Sequence, residues 1–90
     1  MRHINLKIYG RVQGVFFRYN TKKMADRLKL KGFVKNCPDE TVEILAEGDD
    51  ESLDKLISWC KKGPIGSIVE KVEMKEGKYK KEFKDFSIVY

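Results

Sequence analysis

Residues 4–28 are INLKIYGRVQGVFFRYNTKKMADRL, and the spacing of their hydrophobic residues changes from two to nearly four part-way along. Alternation of apolar with polar residues at Ile4, Leu6 and Ile8 predicts a half-buried strand. Beyond two glycines, one helical stripe follows: Phe17, Thr21, Met24, Ala25 and Leu28. The stretch therefore predicts a strand, a turn and a helix, with Gly32 expected just past the helix C-terminus.

The rest of the chain predicts four more strands and a second helix. The strands occupy approximately residues 33–36, 42–47, 68–75 and 86–90. Asp49 or Asp50 is expected to cap the second helix, which stops at Lys61-Lys62-Gly63-Pro64. Its predicted buried stripe is Leu53, Leu56, Ile57 and Cys60.

The order of elements is βαββαβ followed by an extra C-terminal strand. It predicts an α+β fold, the ferredoxin-like α/β sandwich, with two helices on one face of a mainly antiparallel sheet. Residues 1–90 are expected to form a single domain. Strands one and two run in the same direction because a helix crosses between them. The loop at 13–18 and Asn36, at the end of strand two, are therefore expected at the same edge of the sheet.

Composition excludes several classes of protein. A hydrophobic content of 41% predicts a folded chain, and no apolar run reaches the roughly 18–20 residues of a membrane span. The first residues lack the apolar region of a signal peptide, so a cytoplasmic location is expected. His3 is the only histidine, so Cys37 and Cys60 have no Cys/His cluster with zinc spacing. A Ser-His-Asp or Cys-His mechanism would need His3, which lies before the first strand with no orienting neighbour in the sequence, so none is expected. The net charge of +5 suits an anionic partner, although a solvated lysine-rich surface explains it equally well.

A candidate phosphate site joins the first strand to the first helix: Gly10-Arg11-Val12-Gln13-Gly14-Val15-Phe16-Phe17-Arg18. A glycine-containing turn at a helix N-terminus presents free backbone N–H groups and a partial positive charge, which suit phosphate. Arg18 adds a planar fork that matches two phosphate oxygens. The pattern is not a P-loop, since no Lys-Ser or Lys-Thr follows the second glycine. Taken alone, it is better explained by a tight turn that needs glycine, with Arg18 as a surface cation.

The same nine residues resemble the first signature of acylphosphatases. The family's second signature is resembled by a later stretch, Gly32-Phe33-Val34-Lys35-Asn36, which continues through Val42 to Gly48. Other residues that fall where that family has them are Thr21, Ala25, Gly63-Pro64 and Phe86-Ser87-Ile88. The likeness extends from about residue 4 to residue 90, and two spaced signatures in the right order are far more specific than either alone.

This resemblance implies hydrolysis of the carboxyl-phosphate bond of a small acyl phosphate to a carboxylate and inorganic phosphate. It assigns phosphate binding to Arg18 and to the backbone N–H groups of Gln13, Gly14, Val15, Phe16 and Phe17. It assigns orientation of the attacking water to Asn36. It implies no metal and no phosphoenzyme. We also predict no cofactor, inorganic phosphate as product and inhibitor, and a monomer. The chemistry agrees, because the carboxylic acid formed has a pKa of about 4, and its anion leaves at neutral pH without a general acid.

The chain departs from the family pattern in two turns. After the asparagine the family usually has Asp-Gly, where this chain has Asp39-Glu40. Because glycine eases a positive φ, Glu40 predicts a different turn shape fixed by Pro38, and its charge predicts weaker substrate binding. After Gly63 the family often has Pro-Pro, against Pro64-Ile65 here. Neither departure changes Arg18 or Asn36, so activity is expected.

Two alternatives share the predicted fold. An RNA-recognition module stacks bases on the aromatic residues of its sheet. Lys31-Gly32-Phe33 matches only the start of its motif, and strand one offers only Tyr9 as a platform, so nucleic acid is the less favoured partner. The other alternative is a domain that binds a phosphorylated small ligand without turnover. Without the family resemblance, Asn36 is better explained as a turn former before Cys37-Pro38.

Overall fold

A computed structural model describes residues 1–90 as five strands and two helices. The elements are β1 (Arg2–Arg11), α1 (Phe17–Arg27), β2 (Lys31–Asn36), β3 (Val42–Gly48), α2 (Asp50–Lys62), β4 (Ile68–Gly77) and β5 (Phe86–Val89). All seven predicted elements are present, although β2 begins at Lys31 instead of residue 33 and β4 continues to Gly77. Neither helix has the length and apolar character needed to cross a membrane.

The strands form one sheet in the order β4-β1-β3-β2-β5. β1 pairs with β3 and β4, and β2 pairs with β3, all antiparallel, while β5 pairs with the outer edge of β2 in parallel. The predicted ferredoxin-like sandwich with an added C-terminal strand is confirmed. Because β3 lies between β1 and β2 and is antiparallel to both, β1 and β2 end at the same edge of the sheet.

The hydrophobic core lies between the sheet and the two helices. Ile4, Leu6 and Ile8 have no exposed surface, and their partners on β3 are Ala46, Ile44 and Val42. The helices contribute Phe17, Ala25, Leu53, Leu56 and Cys60. Burying one large apolar side chain in this way stabilises the fold by roughly 1.5–3 kcal/mol. The alternation and most of the helical stripes predicted from the sequence therefore form this core.

The helix ends confirm one expectation and correct another. Asp49 is the N-cap of α2, and its carboxylate accepts a hydrogen bond from the Ser52 N–H at 2.8 Å. The expectation that Gly32 terminates α1 is wrong, because the left-handed residue after this helix is Lys29, with φ of 59°. Gly32 lies inside β2 with φ of 139°, where an added Cβ would come within 1.8 Å of the Leu45 carbonyl oxygen. Close approach of β3 is the physical reason for this glycine.

Candidate active site

A pocket of about 300 Å³ opens at the sheet edge where β1 and β2 end. Its lining comes from the β1–α1 loop (residues 12–16), the first turn of α1, the end of β2 and the end of β5. The lining residues are Val12, Gly14, Phe16, Phe17, Arg18, Tyr19, Asn36, Ile88 and Tyr90. The predicted meeting of Arg18 and Asn36, eighteen residues apart in the sequence, is therefore present in the structure.

The β1–α1 loop, which lines this pocket through Val12, Gly14 and Phe16, has unpaired backbone donors. Gly14 and Phe16 both have positive φ, 74° and 59°, and Phe16 occupies the N-cap of α1 without a side-chain cap. The first helical hydrogen bond runs from the Asn20 N–H to the Phe16 carbonyl at 3.0 Å. The N–H groups of residues 14–16 donate to no protein group, and the first turn of α1 contains no acidic residue. This arrangement suits an anion, because the helix N-terminus carries a partial positive charge.

The positive φ of Phe16 makes the backbone of this loop locally less stable. A side chain in the left-handed region destabilises the backbone by roughly 1–2 kcal/mol. Such conformations persist where the surrounding structure holds them, and they concentrate at binding sites. The Phe17 side chain, which is 1% exposed and packs on Trp59 with ring centroids 5.6 Å apart, anchors the loop immediately after Phe16.

Arg18 is half-buried in the wall of the pocket. Its guanidinium makes no ion pair and no hydrogen bond with another protein group. It lies over the Tyr90 ring, with the Arg18 Cζ 4.8 Å from the ring centroid. All donors of the guanidinium are therefore free for a ligand, and planar donors of this kind bind phosphate oxygens in pairs.

Asn36 is the last residue of β2, paired in register with Val42 of β3. Its side-chain oxygen Oδ1 is buried and has no hydrogen-bond partner in the protein. Leaving a buried acceptor unpaired costs about 1–3 kcal/mol, so such an atom in a pocket indicates a role toward a ligand or water.

Gln13 and Val15, both predicted substrate-binding residues, do not line the pocket. The Gln13 side chain instead reaches the turn between β2 and β3. Its Nε2 donates hydrogen bonds to the carbonyl oxygens of Cys37 and Thr41, each at 2.9 Å. Gln13 therefore ties the β1–α1 loop to the residues that follow Asn36. The half-buried Val15 packs against the hydrophobic core.

The turn after Asn36 corrects a second expectation. Glu40 keeps a positive φ, 68°, so it takes up the conformation that favours glycine instead of avoiding it. The Glu40 N–H donates to the Cys37 carbonyl at 3.1 Å, with Pro38 and Asp39 between them. The Glu40 side chain is exposed and does not line the pocket.

Asp39 stabilises the same turn through contacts with Thr41 and Lys7. Its carboxylate accepts hydrogen bonds from the Thr41 hydroxyl and backbone N–H, and it pairs with the Lys7 ammonium at 2.8 Å. The contact with Lys7, and then the contact with the Thr41 hydroxyl, lower the pKa of the Asp39 carboxyl to about 2. The ion pair connects β1 to the turn that follows Asn36.

The sequence prediction missed Val12, Tyr19, Ile88 and Tyr90 as lining residues. From the sequence, Ile88 and Tyr90 are expected only within the last strand, residues 86–90, with no role in the site. They reach the pocket because β5 pairs in parallel with β2, with Val89 opposite Lys35. No local pattern in the sequence indicates which strand β5 will join. Tyr19 directly follows Arg18, so its position in the pocket could have been predicted from the sequence.

Comparisons with known proteins agree with this geometry. The acylphosphatase family model matches residues 4–88. The acylphosphatase of Syntrophus aciditrophicus is 42% identical over 90 residues, covering 100% of this chain and 94% of its own. That of Pyrobaculum islandicum is 46% identical over 86 residues, covering 94% and 90%. The crystal structure of acylphosphatase from Bacillus subtilis superposes with a TM-score of 0.96 at 41% identity, over 100% of both chains. By family model, by relatives and by fold, the chain belongs to the acylphosphatase family, whose enzymes hydrolyse acyl phosphates.

Proposed function

We propose that this acylphosphatase binds the phosphoryl group of its substrate with Arg18 and the backbone N–H groups of the β1–α1 loop, while Asn36 orients the attacking water. One observation carries this proposal: the unpaired Arg18 guanidinium, the unpaired N–H groups of Gly14 and Phe16 and the buried unpaired Asn36 oxygen all belong to residues that line a single pocket. Proteins ordinarily pair a buried polar atom such as Asn36 Oδ1 internally, while the free guanidinium and N–H groups beside it are the donors that a phosphoryl group accepts.

The proposed reaction needs little from the protein beyond position and charge. The water donates a hydrogen bond to Asn36 Oδ1, which places its oxygen in line with the phosphorus and opposite the carboxylate. The bond from water oxygen to phosphorus forms as the bond from phosphorus to the acyl oxygen breaks. Arg18 and the N–H groups stabilise the charge on the phosphoryl oxygens. The water proton passes to a phosphoryl oxygen, and the carboxylate leaves unprotonated.

The residues that line the pocket support these roles for Arg18, the backbone N–H groups and Asn36. No histidine, aspartate, glutamate or lysine side chain lines it, so Arg18 is the one lining side chain that is charged at neutral pH. A carboxylate leaving group needs no proton, since its acid has a pKa of about 4. We therefore infer that neither a general acid nor a metal ion takes part and that inorganic phosphate, the product, competes with substrate. We retain a cytoplasmic monomer as the prediction from the sequence.

The test is hydrolysis of benzoyl phosphate, with and without EDTA, by wild type, Arg18→Ala and Arg11→Ala. Arg11 is a matched control, because it ends β1, is exposed and does not line the pocket. Arg18→Ala should lose at least about 100-fold in kcat/KM, as expected when a charged transition-state contact is removed. Arg11→Ala should stay near wild type. Equal losses in the two variants would assign the effect to net charge, and loss of wild-type activity with EDTA would contradict the metal-free reaction.

The RNA-recognition alternative finds no support on the face of the sheet away from the helices. The Tyr9 hydroxyl donates to Glu73 at 2.5 Å, and the Phe33 ring packs edge-on against Phe83, with centroids 6.1 Å apart. The lysines beside them are paired: Lys7 with Asp39, Lys35 with Glu43 and Lys71 with Glu73. These three ion pairs carry no net charge, so they give a phosphate backbone little electrostatic attraction. We infer that this face is not a nucleic-acid platform.

A further inference from the structure

A second pocket, of about 200 Å³, lies in the groove between α1 and α2. Its lining residues are Asn20, Lys23, Met24 and Arg27 of α1 and Trp59 of α2. At 3.6 residues per turn, Asn20, Lys23 and Arg27 lie roughly 140–200° around α1 from Arg18. The groove is therefore on the opposite side of the helix from Arg18 and is separate from the candidate active site.

The two cations of this groove have no counter-ion in the protein. Lys23 and Arg27 are exposed, and neither forms an ion pair or a side-chain hydrogen bond. No aspartate or glutamate lines the groove. The two side chains are four residues apart on one helix, where they are neighbours and where like charges destabilise the helix.

An acidic pair with the same spacing is treated differently by the fold. Asp50 and Asp54 of α2 both pair with Arg2, at 3.4 and 3.7 Å, so their shared charge is neutralised within the chain. Arg27 lies in the last turn of α1, where a cation is favourable, but Lys23 lies one turn earlier. The chain supplies no counter-ion for the two cations together, so an anion from solution would fill that role.

We propose that this groove binds a small anion that carries a diphosphate group, with one phosphoryl group on Arg27 and the other on Lys23. A guanidinium offers paired donors to phosphate oxygens, and an ammonium offers a compact charge. The Asn20 amide has two N–H donors, of which one bonds to the Phe16 carbonyl at 3.0 Å and the other is open to the ligand. Two charges on adjacent phosphoryl groups match two cations on adjacent turns better than a single phosphate does.

The apolar wall of the groove gives this diphosphate two sources. Trp59 and Met24 are half-buried beside the two cations. An indole ring in such a position stacks with a nucleobase, so the ligand is either inorganic pyrophosphate or a nucleoside diphosphate. Comparing pyrophosphate with ADP separates the two. Equal affinities assign the site to the diphosphate alone, and tighter binding of ADP assigns it to a nucleotide.

The experiment uses the fluorescence of Trp59, the only tryptophan of the chain, and measures affinity independently by calorimetry. Trp59 packs on Phe17, which lines the candidate active site, so binding there could also change the fluorescence. The titrations with pyrophosphate and ADP are therefore made in Arg18→Ala, where that site is impaired. Saturable binding of pyrophosphate should persist in this variant.

Adding Lys23→Gln and Arg27→Gln to this variant should weaken pyrophosphate binding by at least about tenfold, because two charge-assisted contacts are lost. The matched control adds Lys78→Gln and Lys84→Gln instead. These lysines are exposed, unpaired and outside both pockets, and their replacement removes the same charge. The control should bind pyrophosphate as Arg18→Ala alone does.

Equal affinities in all three proteins, or equal losses in the two multiple variants, would overturn the inference, and so would the absence of binding in Arg18→Ala. Removing a like-charged pair should not lower the urea midpoint in the absence of ligand. A lower midpoint with unchanged pyrophosphate affinity would assign Lys23 and Arg27 a structural role instead. The inference does not rest on the proposed function: an inactive wild type that binds pyrophosphate through these two residues would remove that function alone.

Discussion

The side-chain amide of Gln13 donates a 2.9 Å hydrogen bond to the backbone carbonyl of Cys37, the residue directly after Asn36. A second bond from the same nitrogen reaches the Thr41 carbonyl, also at 2.9 Å. Gln13 belongs to the β1–α1 loop, which carries the backbone donors, and Cys37 belongs to the turn next to the proposed water-orienting residue. One side chain thus sets the distance between the two halves of the site.

Gln13→Ala should therefore reduce both stability and turnover. Both carbonyls keep a backbone donor, because Glu40 N–H bonds to the Cys37 carbonyl and Cys37 N–H to the Thr41 carbonyl. The loss of stability should then stay near about 1 kcal/mol, and kcat should fall as Asn36 moves relative to the phosphate site. Urea unfolding and benzoyl phosphate kinetics measure the two effects. Unchanged kcat in a destabilised variant would restrict Gln13 to a structural role.

Asn36→Ala should separate catalysis from binding. Without the amide oxygen the attacking water is no longer oriented, and kcat should fall by about 100-fold or more. The inhibition constant for phosphate should change little, because Arg18 and the backbone donors remain. The free energy of unfolding should not decrease, because the substitution removes a buried acceptor that has no protein partner. A higher KM with unchanged kcat would argue against the role proposed for Asn36.

Glu40→Gly should stabilise the enzyme. The residue has φ of 68°, a conformation costly for any residue with a Cβ, while glycine loses more chain entropy on folding. The balance favours glycine by about 0.5–1 kcal/mol. Glu40→Ala is the matched control, since it removes the charge but keeps the Cβ. Equal unfolding midpoints in urea for the two variants would show that charge, not backbone conformation, governs this position.

Asp39 should make the turn after Asn36 sensitive to acid. Contact with Lys7 and then with Thr41 lowers the pKa of its carboxyl to about 2 in the folded protein, below the value of about 3.9 in an unfolded chain. The stability that it contributes is therefore present above about pH 4 and lost as the pH falls toward about 2. The difference in urea midpoint between wild type and Asp39→Asn should shrink over this range. A difference that stays constant with pH would contradict the assignment.

The Cys60 thiol should be unreactive in the folded protein. Burial raises the pKa of the Cys60 thiol to about 12, and its side chain has no exposed surface. Since the thiolate is the reactive form, Cys60 should resist a disulfide reagent in the native protein. Cys37→Ser should therefore remain unlabelled until urea is added, and then react once. Fast native labelling of that variant would show that α2 opens readily.

Local physical chemistry determined much of this protein from the sequence alone. Alternation at Ile4, Leu6 and Ile8 requires a strand with one buried face, and the later stripe requires a helix with one buried face. Asp49 caps α2 through a contact three residues away. The nine residues from Gly10 to Arg18 predicted a glycine turn at a helix N-terminus, which leaves backbone donors unpaired locally, and the family resemblance added the expectation of phosphate. The shared direction of β1 and β2 then brought Asn36 to the same edge.

Only the tertiary structure decided the contacts that complete the site. The acceptors of Gln13 lie 24 and 28 residues along the chain. Gly32 is required by the approach of Leu45 from β3, not by the end of a helix. Tyr90 meets Arg18 because β5 joins β2 in parallel. The spacing of hydrophobic residues can be read within a few residues and predicts each helix or strand. Strand pairing and side-chain contacts instead depend on which distant segments bury their surfaces together.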